Sequence, residues 1–416
     1  MTEARAASGG WLLLHVSLPF LAGYYLSYTY RTVNALLGPV LAEEFGLAAG
    51  ALGLLTAVYF LTFGLFQIPL GILLDRYGPR RVDAALLLIA ATGAVLFARA
   101  DSPVALLAGR ALIGLGVSGC LMSAFQAFVL WYPAERIAFM NGVAFSAGAL
   151  GAMTATIPLE FALRAFGWRE IFVALAIATL VVVAVLYFIV PERRQPRKAE
   201  TLSAQLAGVA AILRDPAFWR IGIALCTSQA AVVSLLTLWM ATWLRDVAGF
   251  SRAEVAQALL AVNIALIAGY LSYGRAADAL VRRGRSTLPL FAWGIACTSA
   301  CLALLAFGVT AGSVVYWALF VGFGAVGSVD YTTLSRRYPR AMAGRVNTCM
   351  NIFTFTGTFL GQWSAGVILN RWAPTATGYD PAAYFYAFGA LWAVQLAGLL
   401  WLLAGRRVLA PAPPTA

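Results

Sequence analysis

The sequence predicts an all-α polytopic membrane protein with twelve transmembrane helices in two pseudo-symmetric six-helix bundles. Three observations predict this class: the composition, long runs without charge, and an internal repeat. Of the 416 residues, 62% are hydrophobic and 11% are charged, whereas a soluble domain carries about 25% charged residues. Five runs without a charged residue are each long enough to cross a bilayer: 45–74, 111–134, 221–244, 286–329 and 346–370.

Turn residues and charges divide the chain into twelve predicted spans. They are 11–42, 49–74, 82–99, 103–131, 137–163, 168–190, 216–244, 252–273, 286–308, 311–333, 345–370 and 381–405. The longest polar stretch, 191–215, follows span 6. We therefore expect an N-terminal bundle over 1–190, a cytoplasmic linker over 191–215 and a C-terminal bundle over 216–416. Part of the linker, 202–213, has the pattern of a surface amphipathic helix.

The basic residues predict the orientation. Of 29 Lys and Arg, two lie inside spans, six lie in the loops of one face, and 21 lie in the termini and the loops of the other face. An excess of basic residues marks the cytoplasmic side, so both termini are expected in the cytoplasm. The predominance of Arg over Lys suggests a bacterial genome, and the expected location is the bacterial inner membrane. The net charge of +12 thus orients the protein and predicts no nucleic-acid partner.

The two halves repeat. Gly71-x-x-x-Asp75 followed by Arg80 closes span 2, and Gly274-x-x-x-Asp278 followed by Arg282 closes span 8. The Gly114-x-Gly116-x-x-Gly119 pattern of span 4 returns as Gly322-x-Gly324-x-x-Gly327, and Tyr132-Pro133 returns as Tyr338-Pro339. The glycines sit within apolar spans, where close helix packing accounts for them better than a nucleotide-binding loop does.

One polar stripe stands out on span 1. Arg31 lies ten residues before the end of an apolar helix, roughly 15 Å into a hydrocarbon layer about 30 Å thick. A charge at that depth is tolerated when it faces a bundle interior or an aqueous cavity. Tyr24, Tyr28, Arg31 and Asn34 follow helical spacing on one face. The stripe predicts a binding site for an anion, with Arg31 as the counter-charge and the other three as orienting groups.

The motif GILLDRYGPRR at 71–81 resembles the loop between helices 2 and 3 of the major facilitator superfamily. The resemblance extends over essentially the whole chain and implies the major facilitator fold, with alternating access between the membrane faces. It also implies that Gly71, Asp75, Arg76 and Arg80 lock the cytoplasmic side. Asp278 occupies the weaker copy of the motif.

Arg110 with Gly114 and Gly116 is similar to the R-x-x-x-G-x-G motif of that family. The resemblance implies help in moving a proton or substrate, and a structural pair with Glu160 is the alternative. Asp330, at the cytoplasmic end of span 10, is expected to form a gating pair with a loop arginine, with proton transport as the alternative.

Within the superfamily, an arginine eight residues before a proline, here Arg31 and Pro39, resembles the organic-anion (anion/cation symporter) branch. The position where organophosphate exchangers carry a second arginine on helix 7 is Val233 here, which favours a carboxylate over a phosphate ester. Polar residues of the second half can complete the site, although for each one taken singly the sequence favours a helix–helix hydrogen bond over a ligand role: Gln229, Asn263, Asn351 and Gln362.

The functional expectation is secondary active transport of a small organic anion by symport with a proton or another cation. Efflux of drugs or metabolites, and a non-transporting sensor with the same fold, are the alternatives. No cofactor or metal is expected, one chain suffices for the fold, and no span carries the metal-ligand or paired-carboxylate spacing of an enzyme.

Overall fold

The computed structural model describes residues 9–193, 202–329, 334, 337–338, 342–375 and 378–405. Every regular element in this part of the chain is helical. The predicted all-α class is therefore confirmed.

The first half forms eleven α-helices, and a π-helical turn at Leu13–Ser17 joins the first two. They are α1 (Gly9–Leu12), α2 (Leu18–Thr32), α3 (Asn34–Phe45), α4 (Ala49–Leu65), α5 (Gln67–Tyr77), α6 (Pro79–Ala98), α7 (Pro103–Val117), α8 (Cys120–Trp131), α9 (Ala134–Thr154), α10 (Ile157–Ala165) and α11 (Trp168–Phe188).

The second half contributes eight further α-helices within the described residues, with a π-helical turn at Leu235–Trp239. They are α12 (Leu202–Arg214), α13 (Pro216–Ser234), α14 (Met240–Asp246), α15 (Arg252–Arg282), α16 (Leu288–Ala306), α17 (Ser313–Gly324), α18 (Ala343–Leu369) and α19 (Pro381–Ala404). Helix α12 coincides with the predicted amphipathic segment.

Helix starts follow local sequence signals. Ser102 caps α7 by accepting a hydrogen bond from the Ala105 amide, and Asp215 and Asp380 cap α13 and α19 in the same way. Ser251 and Glu254 form a capping box at the start of α15. Gly78 takes a positive φ of 79° between α5 and α6, a conformation that favours glycine, which explains the glycine in the 71–81 motif.

Eight helices of the described residues are long and apolar enough to cross a membrane, or up to ten when two bent pairs are each counted as one span. The bends, of 42° and 41°, lie between α4 and α5 and between α9 and α10. Spans 2 and 5 are thus broken helices where the sequence predicted continuous ones. This is a multi-pass membrane protein; the count of twelve spans stays a prediction.

The chain divides into two compact units. The first comprises Met1–Leu37 and Leu61–Ala199, and the second comprises Gly38–Phe60 and Glu200–Ala416. The segment Gly38–Phe60 contains the end of predicted span 1 and the first part of span 2. It therefore groups with the second half of the chain although it lies in the first half of the sequence.

Glycines bring the helices of the first unit into close contact. A Cβ atom at Gly93 would lie 2.8 Å from the Ile113 amide nitrogen, and one at Gly109 would lie 2.9 Å from the Phe97 amide nitrogen. Gly151 packs directly on the Tyr25 carbonyl, so α9 lies backbone to backbone against α2. Gly116, which belongs to the predicted pattern, is packed in the same way, since a Cβ there would meet the Ala90 amide nitrogen of α6.

The second unit is built around α13 and α18. The indole Nε1 of Trp239 donates to the Gln362 carbonyl at 3.0 Å, and Gly50 donates from its amide to Asn370 Oδ1 at 3.1 Å. Trp243 packs edge-on against Trp317, with ring centroids 5.8 Å apart. A large apolar cluster, including Phe218, joins these helices at their other end.

Candidate functional site

Arg31 lies on α2 within the first unit and is half-buried. Its guanidinium carbon is 4.5 Å from the ring centroid of Tyr28 and 5.1 Å from that of Phe63, on α4. Both contacts are within the range of cation–π attraction. Such stacking engages the face of the guanidinium plane and leaves its edge, which carries the N–H donors, as the part that forms hydrogen bonds. The charge is thus held in place by two rings.

The two predicted tyrosines pack together beside Arg31. The rings of Tyr24 and Tyr28 meet edge to face with centroids 5.1 Å apart. Gly148 of α9 lies against both, since a Cβ there would lie 2.7 Å from a Tyr24 ring carbon and 2.9 Å from a Tyr28 ring carbon. Tyr24 is buried, and Asn34 at the far end of the predicted stripe is fully buried. The half-exposed surface of the stripe is therefore formed by Tyr28 and Arg31.

The orientation of α2 is fixed by polar contacts on its other faces. The Tyr25 hydroxyl lies 2.6 Å from Thr154 Oγ1, and the Thr29 hydroxyl donates to the Gly151 carbonyl at 3.2 Å. The Tyr30 hydroxyl lies 3.0 Å from Thr179 Oγ1. Contacts with α9 and α11 thus hold the helix that carries Arg31.

Arg110 is fully buried and donates from Nη1 to the Tyr30 carbonyl at 2.8 Å. Tyr30 precedes Arg31 in the chain, so this bond of Arg110 is made to the backbone at the candidate site. Glu160, which the sequence offered as its partner, forms an ion pair with Arg164 one helical turn away, at 3.2 Å. Residues at i and i+4 are neighbours on a helix surface, so the two charges can meet without another helix.

In the second unit the predicted polar residues make helix–helix and local hydrogen bonds. Gln229 donates to the Gly324 carbonyl at 3.2 Å, Gln362 donates to Thr237 Oγ1 at 3.1 Å, and Asn263 donates to the Leu259 carbonyl at 2.8 Å. Asn351 is half-buried on α18. The bonds of Gln229 and Gln362 are the helix–helix bonds weighed as the alternative, and the bond of Asn263 lies within α15.

The residues of the predicted cytoplasmic lock lie at the end of α5 and the start of α6. Gly71 is exposed and has open space around it. Arg76 stacks on the ring of Tyr77, with the guanidinium carbon 5.2 Å from the centroid, and Arg80 donates to the Tyr187 carbonyl. The neighbouring Arg81 pairs with Glu192 at 2.7 Å. This loop is therefore joined to the end of α11.

Three acidic residues assigned to gating differ in what the structure describes. The side chain of Asp75 and all of Asp330 lie outside the described residues. Asp278 is exposed near the end of α15. Their gating roles stay predictions.

One buried acid escaped the sequence analysis. Asp83 is fully buried on α6, with the thiol of Cys120 beside it. Asp83 lies four residues after the start of α6, where a charged side chain is usually expected to face solvent, and no motif marks this position. Among the described residues, no group of His, Cys, Asp and Glu has the arrangement of a metal site.

The comparison with known families identifies the class of protein. The family model for the Major Facilitator Superfamily matches residues 20–362, and the chain belongs to that superfamily. Its members are transporters and not enzymes, which agrees with the prediction from the sequence and confirms the resemblance seen in the 71–81 motif.

Individual relatives include anion transporters. The chain is 32% identical to the "Probable sulfoacetate transporter SauU" of Cupriavidus necator over 158 residues, which are 38% of this chain and 36% of that protein. It is 23% identical to the hexuronate transporter of Bacillus subtilis over 386 residues, which are 89% of this chain and 90% of that one.

A solved structure shows the same fold. The inward-facing, unoccupied structure of a bacterial homologue of the human lysosomal transporter Spinster superposes with a TM-score of 0.73 at 19% identity. The superposition covers 98% of this chain and 97% of that one.

Proposed function

We propose that this protein is a secondary active transporter of a small organic anion, and that a carboxylate is the group it recognises. The observation that carries the proposal is Arg31, a half-buried guanidinium on an apolar helix, held between the rings of Tyr28 and Phe63. A planar guanidinium binds a carboxylate through two parallel hydrogen bonds. In a low-dielectric site that attraction is stronger than in water.

The relatives support an organic anion as the substrate. Sulfoacetate and hexuronates, the substrates named for two of them, each carry a carboxylate. The match to the sulfoacetate transporter covers only 36% of that protein. Sulfoacetate is therefore a compound to test and is not assigned as the substrate. The accompanying proposals are symport with a proton or another cation, an inner-membrane location with both termini in the cytoplasm, and function as a monomer.

Arg110 has a supporting role in this proposal. By donating to the Tyr30 carbonyl, it fixes the backbone next to Arg31 and hence the position of the counter-charge. Of the three orienting residues proposed from the sequence, Tyr28 is at the half-exposed surface where it can meet the anion, and the buried Tyr24 and Asn34 would support it from behind.

Uptake into proteoliposomes tests the proposal. The purified protein is reconstituted and offered labelled sulfoacetate, glucuronate and nitrate, with protein-free vesicles as control. We expect saturable exchange of at least one carboxylate, and faster uptake when the outside is more acidic. Inhibition by the same gradient would indicate efflux. Tight binding without any flux would indicate a sensor and contradict the proposal.

A further inference from the structure

Asp83 is an acid in the interior of the first unit that the anion site does not use. It is 0% exposed, and among the residues that the structure describes its carboxyl oxygens meet no hydrogen-bond donor other than the weak Cys120 thiol. An ionised carboxylate in such a place is costly, and an ionisable residue inside a membrane protein marks function more often than packing. This acid therefore calls for an explanation beyond stability.

The carboxyl group lies where three helices meet. A Cβ atom at Gly23 of α2 would lie 3.6 Å from Oδ2, and one at Gly119, the residue just before α8, would lie 3.6 Å from Oδ1. Leu87 and Leu86 line the same contacts. The titratable group facing the acid is the Cys120 thiol of α8, a weak donor. The surroundings thus favour the neutral acid without holding either charge state through strong hydrogen bonds.

Asp83 packs against α2, the helix that also carries Arg31 of the anion site. A Cβ atom at Gly23 would lie 3.9 Å from the Cys120 sulfur as well, so the thiol and the acid meet at the same point of this helix. Along α2, Gly23 precedes Arg31 by eight residues, or about 12 Å. An anion that neutralises Arg31 removes a positive charge from this region, which favours a proton on the nearby acid. By linkage, protonation of the acid strengthens anion binding by the same factor.

We propose that Asp83 is the proton-binding site of the transporter and takes up a proton as the anion binds at Arg31. The step is balanced: the carboxylate accepts one proton from water and becomes a neutral acid, and no other bond changes. The inference rests on the proposed function for its coupling partner. Proton binding itself can be measured without any substrate.

Infrared spectroscopy tests the proton site directly. The C=O stretch of a protonated carboxylic acid is followed in the wild type from about pH 5 to about pH 9, a range that covers the shifts burial gives to carboxyl groups. We expect a band that fades as the pH rises. It should be absent in Asp83→Asn, shifted in Asp83→Glu, and unchanged in Asp101→Asn, which alters an exposed loop acid. A band that stays constant over the whole range would overturn the proposal.

Transport separates coupling from binding. In proteoliposomes with labelled sulfoacetate, we expect Asp83→Asn to retain exchange within about two-fold and to lose accumulation driven by a pH gradient, while Asp101→Asn retains both. Accumulation by Asp83→Asn at the wild-type level would contradict the proposal. If the wild type itself does not transport any anion, the proposed function fails, while the infrared titration still decides whether Asp83 binds a proton.

Discussion

At the scale of single residues, the two arginines at the anion site differ in burial and in the groups they contact. Arg31 is held by ring stacking and is half-buried, whereas Arg110 is fully buried and bonded to the Tyr30 carbonyl. The half-buried Arg31 can contact a solute, whereas the buried Arg110 holds the backbone next to Arg31 in position. Burial and hydrogen-bond partners depend on tertiary packing. The sequence alone therefore left two roles open for Arg110, one in moving a proton or substrate and one in a structural pair.

Removing Arg110 should destabilise the fold. Arg110→Ala leaves the Tyr30 carbonyl without this donor inside the first unit, a loss of about 1–3 kcal/mol. Thermal unfolding in detergent is the measurement, with Arg99→Ala, an exposed loop arginine, as the control. An Arg110→Ala protein with wild-type stability and a large loss of anion affinity would place Arg110 in direct contact with the substrate instead.

At the scale of helices, the repeated Tyr-Pro pair fastens the first helix of each half. The Tyr132 hydroxyl lies 2.7 Å from Ser17 Oγ at the start of α2, and the Tyr338 hydroxyl donates to Asp215 Oδ2 at 2.7 Å. Asp215 caps α13. Burial and this hydrogen bond raise the pKa of Tyr338, so its hydroxyl stays a donor at neutral pH. The repeated tyrosine thus makes the same kind of contact in each half, a hydrogen bond between its hydroxyl group and a side chain at the start of a helix.

Tyr338→Phe should cost more stability than Tyr132→Phe. A hydrogen bond to a charged acceptor contributes about 1.5–3 kcal/mol and one between neutral groups about 0.5–1.5 kcal/mol. Tyr386→Phe, at an exposed tyrosine, should have no effect. Unfolding temperatures of the three variants give the comparison, and equal losses at all three positions would contradict the fastening role.

One glycine of span 4 and one of span 5 yield a matched pair of substitutions. At Gly116 a Cβ would meet the Ala90 amide nitrogen of α6, whereas at Gly142 of α9 there is open space. Gly116→Ala should force α6 and α7 apart and lower the unfolding temperature. Gly142→Ala should be neutral or stabilising, because alanine favours a helix by up to about 1 kcal/mol. A stable Gly116→Ala protein would show that these helices pack less closely.

At the scale of the whole molecule, the sequence predicted the class, the family and most helix positions, because hydropathy and turn residues act locally. The 42° and 41° bends and the grouping of Gly38–Phe60 with the second unit depend on which surfaces pack together. The burial of Asp83 has the same origin. Pro69 and Pro158 lie just after the two breaks, as prolines do at helix kinks, whereas no pattern in the chain marks the grouping or the burial of Asp83.

The predicted topology can be tested by labelling single cysteines. In a background without native cysteines, Ser286→Cys and Ser251→Cys place thiols at two exposed sites in loops assigned to opposite faces by the basic residues. A membrane-impermeant maleimide added to intact cells should label position 251 and spare position 286 until the cells are opened. The reverse pattern would invert the topology.

The most direct test of the anion site is the affinity of Arg31 variants for the carboxylate that the wild type binds best. Calorimetry on the purified proteins is the measurement, with Arg99→Ala as the control. Arg31→Ala should cost about 2–5 kcal/mol, or roughly thirty-fold to several-thousand-fold in affinity. Arg31→Lys should retain part of the attraction, because it keeps the charge and loses the planar fork. A folded Arg31→Ala protein that binds the anion as tightly as the wild type would contradict the assignment.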